Sequence, residues 1–324
     1  MIVTESKRIA IIGAGFIGKH LIRNLLRVGH ELTILDRNNC PAEFNGLLTW
    51  NQGDFLDSTK LGQTLSGKDI AYHLVSSTVP GDLHIDVAKE LHDNVVGSLR
   101  LVQACVESGV GRLVFASSAS VYGVQNYFPV AEDAPNWPIS AHGIHKLAVE
   151  KFLWLAHQQQ QLDVRILRLA NPYGPGQSIT GRQGFVAIAI GSLVRGDALT
   201  VRDGGRMVRD FIYIEDATEA LVLAGLRESL PLVLNIGTGE GHSLREVVDL
   251  IEQLSGRAIR TVDAAPRHVD IPLSVLDVTR ARALLGFTPR TSLRAGLAST
   301  LISIMQLTGT TLPGLTMETG AWRS

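Results

Sequence analysis

Cysteine is scarce in this 324-residue chain, which contains only Cys40 and Cys105. Two thiols cannot form the disulfide framework of a small secreted domain, so we expect a reducing compartment and a cytoplasmic protein. Long apolar runs are also missing, since none reaches the length of a membrane span. Residues 1–7 are too short and too polar for a signal peptide, and the sequence therefore predicts no membrane segment.

An excess of either charge is missing too, because 30 Lys and Arg stand against 31 Asp and Glu, for a net charge of −1. This balance gives no indication of a nucleic-acid partner or a membrane surface. Hydrophobic residues make up 45% and charged residues 19%, as in ordinary globular proteins. A chain of this length can bury a large core, and we expect two lobes with a loosely ordered tail at 309–324.

A glycine motif near the start of the chain lies between two apolar segments typical of strands, residues 8–12 and 31–35. Its glycines, in G-x-G-x-x-G spacing, are Gly13, Gly15 and Gly18. Apolar residues at helical spacing predict a helix over 16–28, which gives the order strand, glycine turn, helix, strand. The first glycine permits a tight turn, the second lets a pyrophosphate approach the backbone, and the third lets helix and strand pack closely. Because the free N–H groups of the helix N-terminus face the same point, the segment predicts a dinucleotide site.

The type of dinucleotide is indicated by Asp36, which follows the second strand. Its carboxylate can accept both hydroxyls of an adenosine ribose and would repel a 2′-phosphate, which favours NAD over NADP. Arg37 weakens this preference, since an arginine could pair with that phosphate. We predict NAD as cofactor, with the binding residues Gly13, Gly15, Phe16, Ile17, Gly18, Asp36 and Arg37.

Strands and helices alternate through the first half of the chain. The further predicted strands are 70–75, 112–116 and 163–169, and the helices between them are 87–108 and 141–160. This alternation predicts an α/β fold, a Rossmann-like doubly wound parallel sheet with helices on both faces. Ligands on such sheets bind at the carboxyl ends of the strands, so the residues that follow strands should share one edge. Those residues are 13–18, Asp36, Asp54, Ser76, Ser117, Ser118 and Asn171.

Beyond Asn171 glycine and proline cluster, and the rhythm of the elements changes. The predicted elements are helix 185–195, strand 209–214, helix 215–226, strand 232–236 and a helix after Ser243 that has a capping box with Glu246. We predict a dinucleotide-binding domain of residues 1–170 with 209–236, and a smaller substrate lobe of residues 171–208 with 237–308.

Seven short motifs occur in one order along the chain. They are Gly-Ala-Gly-Phe-Ile-Gly (13–18), Gly-Asp-Phe (53–55), Asn-Val-Val-Gly (94–97), Ser-Ser-Ala-Ser-Val-Tyr-Gly (117–123), Arg-Leu-Ala-Asn-Pro-Tyr-Gly (168–174), Gly-Gly-Arg-Met-Val-Arg-Asp-Phe (204–211) and Pro-Arg-His-Val-Asp-Ile-Pro (266–272). With them the chain resembles the extended short-chain dehydrogenase/reductases, specifically the nucleotide-sugar epimerases and dehydratases, over about residues 8–291. The resemblance implies a nucleotide-diphosphate sugar as substrate, bound by the smaller lobe. It also implies a homodimer through helices 87–108 and 141–160, although burial against the sheet explains much of their apolar pattern.

The resemblance further implies roles for single residues. Asp54, with Phe55 beside it, would bind the adenine of NAD. Arg209 and Arg267 would clamp the diphosphate, for which a forked guanidinium is suited, although isolated arginines more often form surface ion pairs. Ser118 would hold the sugar hydroxyl whose carbon gives up hydride. The other implied substrate-binding residues are Ser76, Asn171 and Gln183.

The resemblance also narrows the reaction. The 4,6-dehydratases carry Thr-Asp-Glu where this chain has Ser118, Ala119 and Ser120, and they need that acid and base to remove water. Decarboxylating relatives usually have glutamate at position 120. C4 epimerisation of a UDP-hexose or UDP-N-acetylhexosamine through a transient 4-keto sugar is the reaction that remains. The small Ser274, at a gate beside the sugar ring, would leave room for an acetamido group.

The largest departure from the family is at its Tyr-x-x-x-Lys pair, which reads His142-Gly-Ile-His-Lys146 here. Tyrosine has an ordinary pKa of about 10, which cations must lower, whereas histidine starts near 6.5 and can accept a proton unaided. Once charged, the imidazole would lie among other cations, and because its reach is shorter it would act either directly or through a bridging water. Three interpretations stay open: His142 is the base, the protein binds both ligands but turns over poorly, or the chain is an altered version of a tyrosine-bearing enzyme.

We therefore predict Ser118, His142 and Lys146 as catalytic residues, with Lys146 also binding NAD, and UDP-sugar 4-epimerisation as the function. Two alternatives are a 4-ketoreductase that consumes NAD(P)H and a binding or regulatory protein with degenerate chemistry. His142 and His145 could also form a metal pair, but no third ligand is evident, so we predict no metal.

Overall fold

The computed structural model describes residues 5–77, 86–159, 162–181 and 183–310. Its strands are β1 Arg8–Ile12, β2 Glu31–Asp36, β3 Thr49–Gln52, β4 Ile70–His73, β5 Arg112–Ser118, β6 Asp163–Leu169, β7 Asn171–Tyr173, β8 Leu199–Arg202, β9 Val208–Arg209, β10 Phe211–Tyr213, β11 Val233–Ile236, β12 His242–Ser243, β13 Thr261–Ala264 and β14 Leu273–Ser274. Its α-helices are α1 Phe16–Arg27, α2 Ser58–Leu65, α3 Val87–Leu91, α4 Gly97–Glu107, α5 Ala141–Gln158, α6 Phe185–Arg195, α7 Ile214–Leu226, α8 Leu244–Ser255 and α9 Leu293–Thr308. Most of the predicted tail at 309–324 lies outside the described residues.

Seven parallel strands form the central sheet in the order β11-β6-β5-β4-β1-β2-β3. Alternate residues of β1 enter the cores on opposite faces, with Ile9 and Ile11 on one side and Ala10 and Ile12 on the other. Helices α1 and α7 bury their apolar faces in the first core, and α2, α4 and α5 bury theirs in the second. This arrangement confirms the doubly wound α/β prediction, since a parallel sheet needs apolar cover on both faces.

A third core forms beyond the sheet, mainly between α6, α8 and α9. It is flanked by the short pairs β8 with β13 and β9 with β12 and β14. The predicted capping box is confirmed, because the Ser243 hydroxyl accepts from the Glu246 N–H while the Glu246 carboxylate accepts from the Ser243 N–H. The exact division of the chain into two lobes stays a prediction.

Two predicted elements are wrong in detail. Residues 209–214 form no single strand, because β9 pairs with β12 and β14 while β10 pairs with β7. Asp210 lies between them, fully buried, and its carboxylate accepts from the N–H groups of Thr238 and Gly239, which binds this point of the chain to the segment after β11. The predicted helix 87–108 contains a π-helical turn at His92–Val96 between α3 and α4. Among the described residues, no helix has the length and apolar character needed to cross a membrane.

Candidate active site

The glycine turn between β1 and α1 is shaped to admit a ligand. Gly13 has a φ of +99°, which side chains rarely adopt, and a Cβ on Gly18 would lie 2.3 Å from the Gly13 carbonyl oxygen. Gly15 is different, because a Cβ there would meet nothing within 4 Å. In the described part of the chain no side chain caps α1, so its first N–H groups have no side-chain acceptor next to the open side of Gly15. The turn can therefore hold an anionic group such as a pyrophosphate.

Substitution of Gly18 by alanine tests this packing. We expect Gly18→Ala to lower the free energy of unfolding by about 1–3 kcal/mol, because the methyl group would force α1 away from the turn. The matched control is Gly62→Ala in α2, where nothing lies within 4 Å of the added Cβ. The free energy of unfolding of that variant should rise by about 0.5–1 kcal/mol, because alanine has a higher helix propensity than glycine. Urea unfolding of both variants measures the difference, and equal effects would contradict the packing argument.

Asp36 lies at the carboxyl end of β2, next to the turn. Its Oδ2 accepts from the Ala14 N–H at 2.7 Å, and its Oδ1 accepts from the backbone and side-chain nitrogens of Asn38. A carboxylate has about four acceptor positions, so Asp36 keeps about one for a ribose hydroxyl. Acceptance of both ribose hydroxyls, as the sequence suggests, requires the Asn38 amide to turn away.

Asp54 and Phe55 follow β3 at the same sheet edge. One Asp54 oxygen accepts from the Leu56 N–H at 3.0 Å. The Phe55 ring is buried against α4, where a Cβ on Gly97 would come within 2.7 Å of it. The Phe55 ring therefore belongs to the core between the sheet and α4.

A cleft of about 450 Å³ brings together most of the predicted substrate residues. Those that line it are Ser118, His142, Asn171, Gln183, Arg209 and Arg267. They come from the end of β5, the start of α5, β7, the segment before α6, β9 and the segment before β14. Residues as far apart in sequence as Ser118 and Arg267 thus share one cavity.

The two arginines of the cleft are held differently. Arg267 pairs with the buried carboxylate of Asp270 at 2.7 Å, which fixes its guanidinium while leaving the side chain 41% exposed. Arg209 donates to the Val208 carbonyl at 2.8 Å. Burial lowers the pKa of Arg209, and the Asp270 charge opposes that shift. The cleft therefore presents two guanidinium groups, which suit the binding of an anion.

His142 borders a second, smaller cavity as well as the cleft. This cavity has a volume of about 10 Å³, roughly one water molecule, and Ser76, His145 and Lys146 also line it. The Lys146 ammonium donates to the Ala116 carbonyl at 2.7 Å and lies 4.6 Å from the Phe115 ring centroid. Burial lowers the pKa of Lys146 to about 8, and the charge of Glu150 opposes the shift.

Sequence reasoning missed a buried ion pair beneath these residues. The Arg168 guanidinium binds the Glu150 carboxylate at 2.6 Å, and their side chains are 4% and 3% exposed. Glu150 also accepts from the Ser117 hydroxyl, and Arg168 lies 4.7 Å from the Tyr122 ring centroid. The sequence contained one indication of this pair: Glu150 follows Lys146 by one helical turn, on the face of α5 that is buried. In the described part of the chain, no group of three His, Cys, Asp or Glu could hold a metal ion.

Comparisons with known proteins agree with this geometry. Residues 9–237 match the model of the NAD dependent epimerase/dehydratase family. The chain belongs to this family. The UDP-glucose 4-epimerase of Mycolicibacterium smegmatis is 33% identical over 304 residues, which cover 89% of this chain and 95% of that protein.

Two solved structures extend the similarity to the whole fold of this NAD-dependent family member. The UDP-glucose 4-epimerase of Thermotoga maritima, with UDP-glucose, has a TM-score of 0.86 and 29% identity over 93% of this chain and 99% of that one. The UDP-glucose 4-epimerase of Thermus thermophilus, complexed with NAD, has a TM-score of 0.84 and 30% identity over 91% of this chain and 98% of that one. NAD is the cofactor of the family, and the open glycine turn and Asp36 fit it.

Proposed function

We propose that this protein is an NAD-dependent 4-epimerase of a nucleotide-diphosphate sugar, a UDP-hexose or a UDP-N-acetylhexosamine. The observation that carries the proposal is the position of His142. It borders both the cleft that contains Arg209 and Arg267 and the small cavity that contains Lys146. The similarity to UDP-glucose 4-epimerases supports the same reaction.

The proposed cleft residues divide between the two ends of the substrate. Arg209 and Arg267 would bind the diphosphate, because guanidinium groups pair with phosphate oxygens in a bidentate way. Ser118 and His142, at the sheet edge, would face the sugar. Asn171 donates to the Asp210 carbonyl at 3.1 Å, which fixes its side chain at the cleft wall beside Ser118.

The reaction requires a proton acceptor for the C4 hydroxyl, and NAD bound at the glycine turn would supply the reversible hydride transfer at C4. In the proposed mechanism His142 accepts this proton and returns it when hydride comes back. Ser118 hydrogen-bonds the C4 oxygen, and the Lys146 ammonium provides positive charge beside the site. Because C4 must lose and regain hydrogen on opposite faces, the 4-keto sugar would have to turn within the cleft between the two transfers.

The direct test is incubation of the purified protein with UDP-glucose, UDP-GlcNAc and UDP-glucuronate, each with added NAD, followed by sugar analysis. We expect at least one of them to equilibrate with its C4 epimer without net NADH formation. Steady NAD(P)H consumption with a 4-keto sugar would instead indicate a ketoreductase. Tight binding of NAD and UDP-sugar without any turnover, even in His142→Tyr, would indicate a binding protein.

Removal of the Arg267 guanidinium should mainly weaken substrate binding. We expect Arg267→Ala to raise KM for the UDP-sugar by about 10-fold with kcat reduced less than about 3-fold, because the diphosphate is not at the reacting carbon. Arg260→Ala, an exposed arginine of the same lobe, is the matched control. Steady-state kinetics measures both, and a loss confined to kcat would contradict the assignment.

We also propose a homodimer. Helix α5 exposes Ile144, Phe152 and Trp154, which are 46–51% exposed, and α3 exposes Val87 and Leu91. Apolar side chains on two helices of the same face suit an interface with a second copy. Sedimentation velocity would measure the oligomeric state, and a monomer at micromolar concentration would rule the proposal out.

A further inference from the structure

Two serine hydroxyls meet at the cleft wall where β5 ends. The Ser118 Oγ accepts from the Ser120 N–H at 3.2 Å, and the Ser120 Oγ lies 3.0 Å from it. Both residues line the cleft together with His142. The sequence offered Ser120 only as a reason against dehydration, and the proposed reaction assigns it no role.

The packing fixes this serine pair with little freedom. Ser118 ends β5, and the 3₁₀ turn Ala119–Tyr122 begins directly after it with Ala119 and Val121 buried. Helix α5 approaches so closely that a Cβ on Gly143 would lie 2.5 Å from the Ser120 carbonyl oxygen. The turn that contains Ser120 therefore packs tightly between the end of β5 and the start of α5, the helix that contains His142.

The hydrogen-bonding capacity of a hydroxyl then restricts what Ser118 can do. A hydroxyl donates one hydrogen bond and accepts two, and the Ser120 N–H fills one acceptor position of Ser118. The remaining bond between the two Oγ atoms can run either way. If Ser120 donates, both acceptor positions of Ser118 are filled and its proton is available to the cleft. If Ser118 donates, it can only accept from the substrate.

We propose that Ser120 is a positioning residue whose hydroxyl donates to Ser118 and thereby directs the Ser118 proton to the C4 oxygen of the sugar. This inference rests on the proposed function. A 4-keto sugar presents a carbonyl oxygen, which has no hydrogen to give, so Ser118 can bond it only by donating. The Ser120 hydroxyl stabilises that orientation when negative charge develops on the C4 oxygen.

The test is a double-mutant cycle with Ser120→Ala, Ser118→Ala and the double variant, with Ser120→Thr as the conservative control. We expect Ser120→Ala to lower kcat about 10-fold with KM changed less than about 2-fold, since one transition-state hydrogen bond weakens. Ser120→Thr should recover kcat to within about 3-fold, because it keeps the hydroxyl. In the Ser118→Ala background, Ser120→Ala should change kcat less than about 2-fold, as expected for a residue that acts through Ser118. Additive losses, or no loss in Ser120→Ala, would overturn the proposal.

A binding measurement separates this proposal from the proposed function. Calorimetry with a stable UDP-4-keto-6-deoxyhexose and with UDP-glucose needs no turnover. We expect Ser120→Ala to weaken the binding of the keto sugar about 5-fold and the binding of UDP-glucose less than about 2-fold. The reason is that only the ketone oxygen requires a hydrogen-bond donor from the protein. Equal weakening of both sugars would refute the role of Ser120. A wild-type protein that binds the keto sugar in this way but epimerises nothing would refute only the proposed reaction.

Discussion

Replacement of His142 by phenylalanine is expected to lower kcat by about 10²–10⁴-fold, the usual contribution of a positioned acid–base group. A planar aromatic ring is kept at this position, although a larger one, whereas the nitrogen that would accept the C4 proton is lost. Kinetics with the UDP-sugar that the wild type epimerises measures the effect. His157→Phe, at the other end of α5, is the matched control and should stay within about 2-fold. A His142→Phe variant within about 3-fold of wild type would exclude His142 as the base.

The His142→Tyr variant distinguishes a working histidine base from a site that the histidine impairs. A tyrosine has an ordinary pKa of about 10 against about 6.5 for histidine, so the variant depends on the Lys146 cation to form its base. If His142 is the working base, His142→Tyr should be no faster at neutral pH and should need a higher pH for its maximum. If the site is impaired by the histidine, the variant should instead gain activity.

The Lys146 ammonium should limit the activity of both the wild type and the His142→Tyr variant at high pH. Its pKa is lowered to about 8 by burial, so the ammonium is present below that pH and is lost as the pH rises through it. We therefore expect the activity of wild type to fall above about pH 8. A kcat profile from pH 6 to 10 measures this limb, and activity that is level to pH 10 would contradict it.

Removal of the buried carboxylate in Glu150→Ala should lower the free energy of unfolding by about 3–5 kcal/mol, because it leaves the Arg168 guanidinium without its partner in the core. Urea unfolding measures the loss. Lys151→Ala, the exposed neighbour on α5, should change stability by less than about 0.5 kcal/mol. A loss below about 1 kcal/mol in Glu150→Ala would show that water reaches the pair.

A second variant separates loss of the charge from loss of the pair. When Glu150→Met and Arg168→Met are combined, neither member of the pair is left without the other, and the double variant should be more stable than either single one. If it is less stable than both, the hydrogen bonds from Arg168 to the Glu132 carbonyl and the Asn136 side chain carry the stability instead.

The sequence could predict local features because they depend on short-range rules. Glycine spacing after an apolar strand indicated the turn at Gly13, and the fold confirms the alternation of strands and helices. It could not predict that residues 209–214 are divided between two sheets, because the division depends on the buried carboxylate of Asp210, whose hydrogen-bond donors Thr238 and Gly239 lie far away in the sequence. Only the family motifs could predict that Ser118 and Arg267 share a cleft, because no periodic pattern connects residues that are so far apart in the sequence.

By itself, then, the sequence determined the doubly wound sheet, the dinucleotide turn and the presence of histidine at position 142 in place of the family's tyrosine. All three can be recognised from residues that are close together in the sequence. Only the tertiary structure decided which groups share a bond: Asp270 with Arg267, Glu150 with Arg168, and Ser120 with Ser118. The reason is physical. Hydrogen bonds and ion pairs depend on distances of about 3 Å, and the packing of helices on a sheet sets those distances for residues that the linear pattern does not connect.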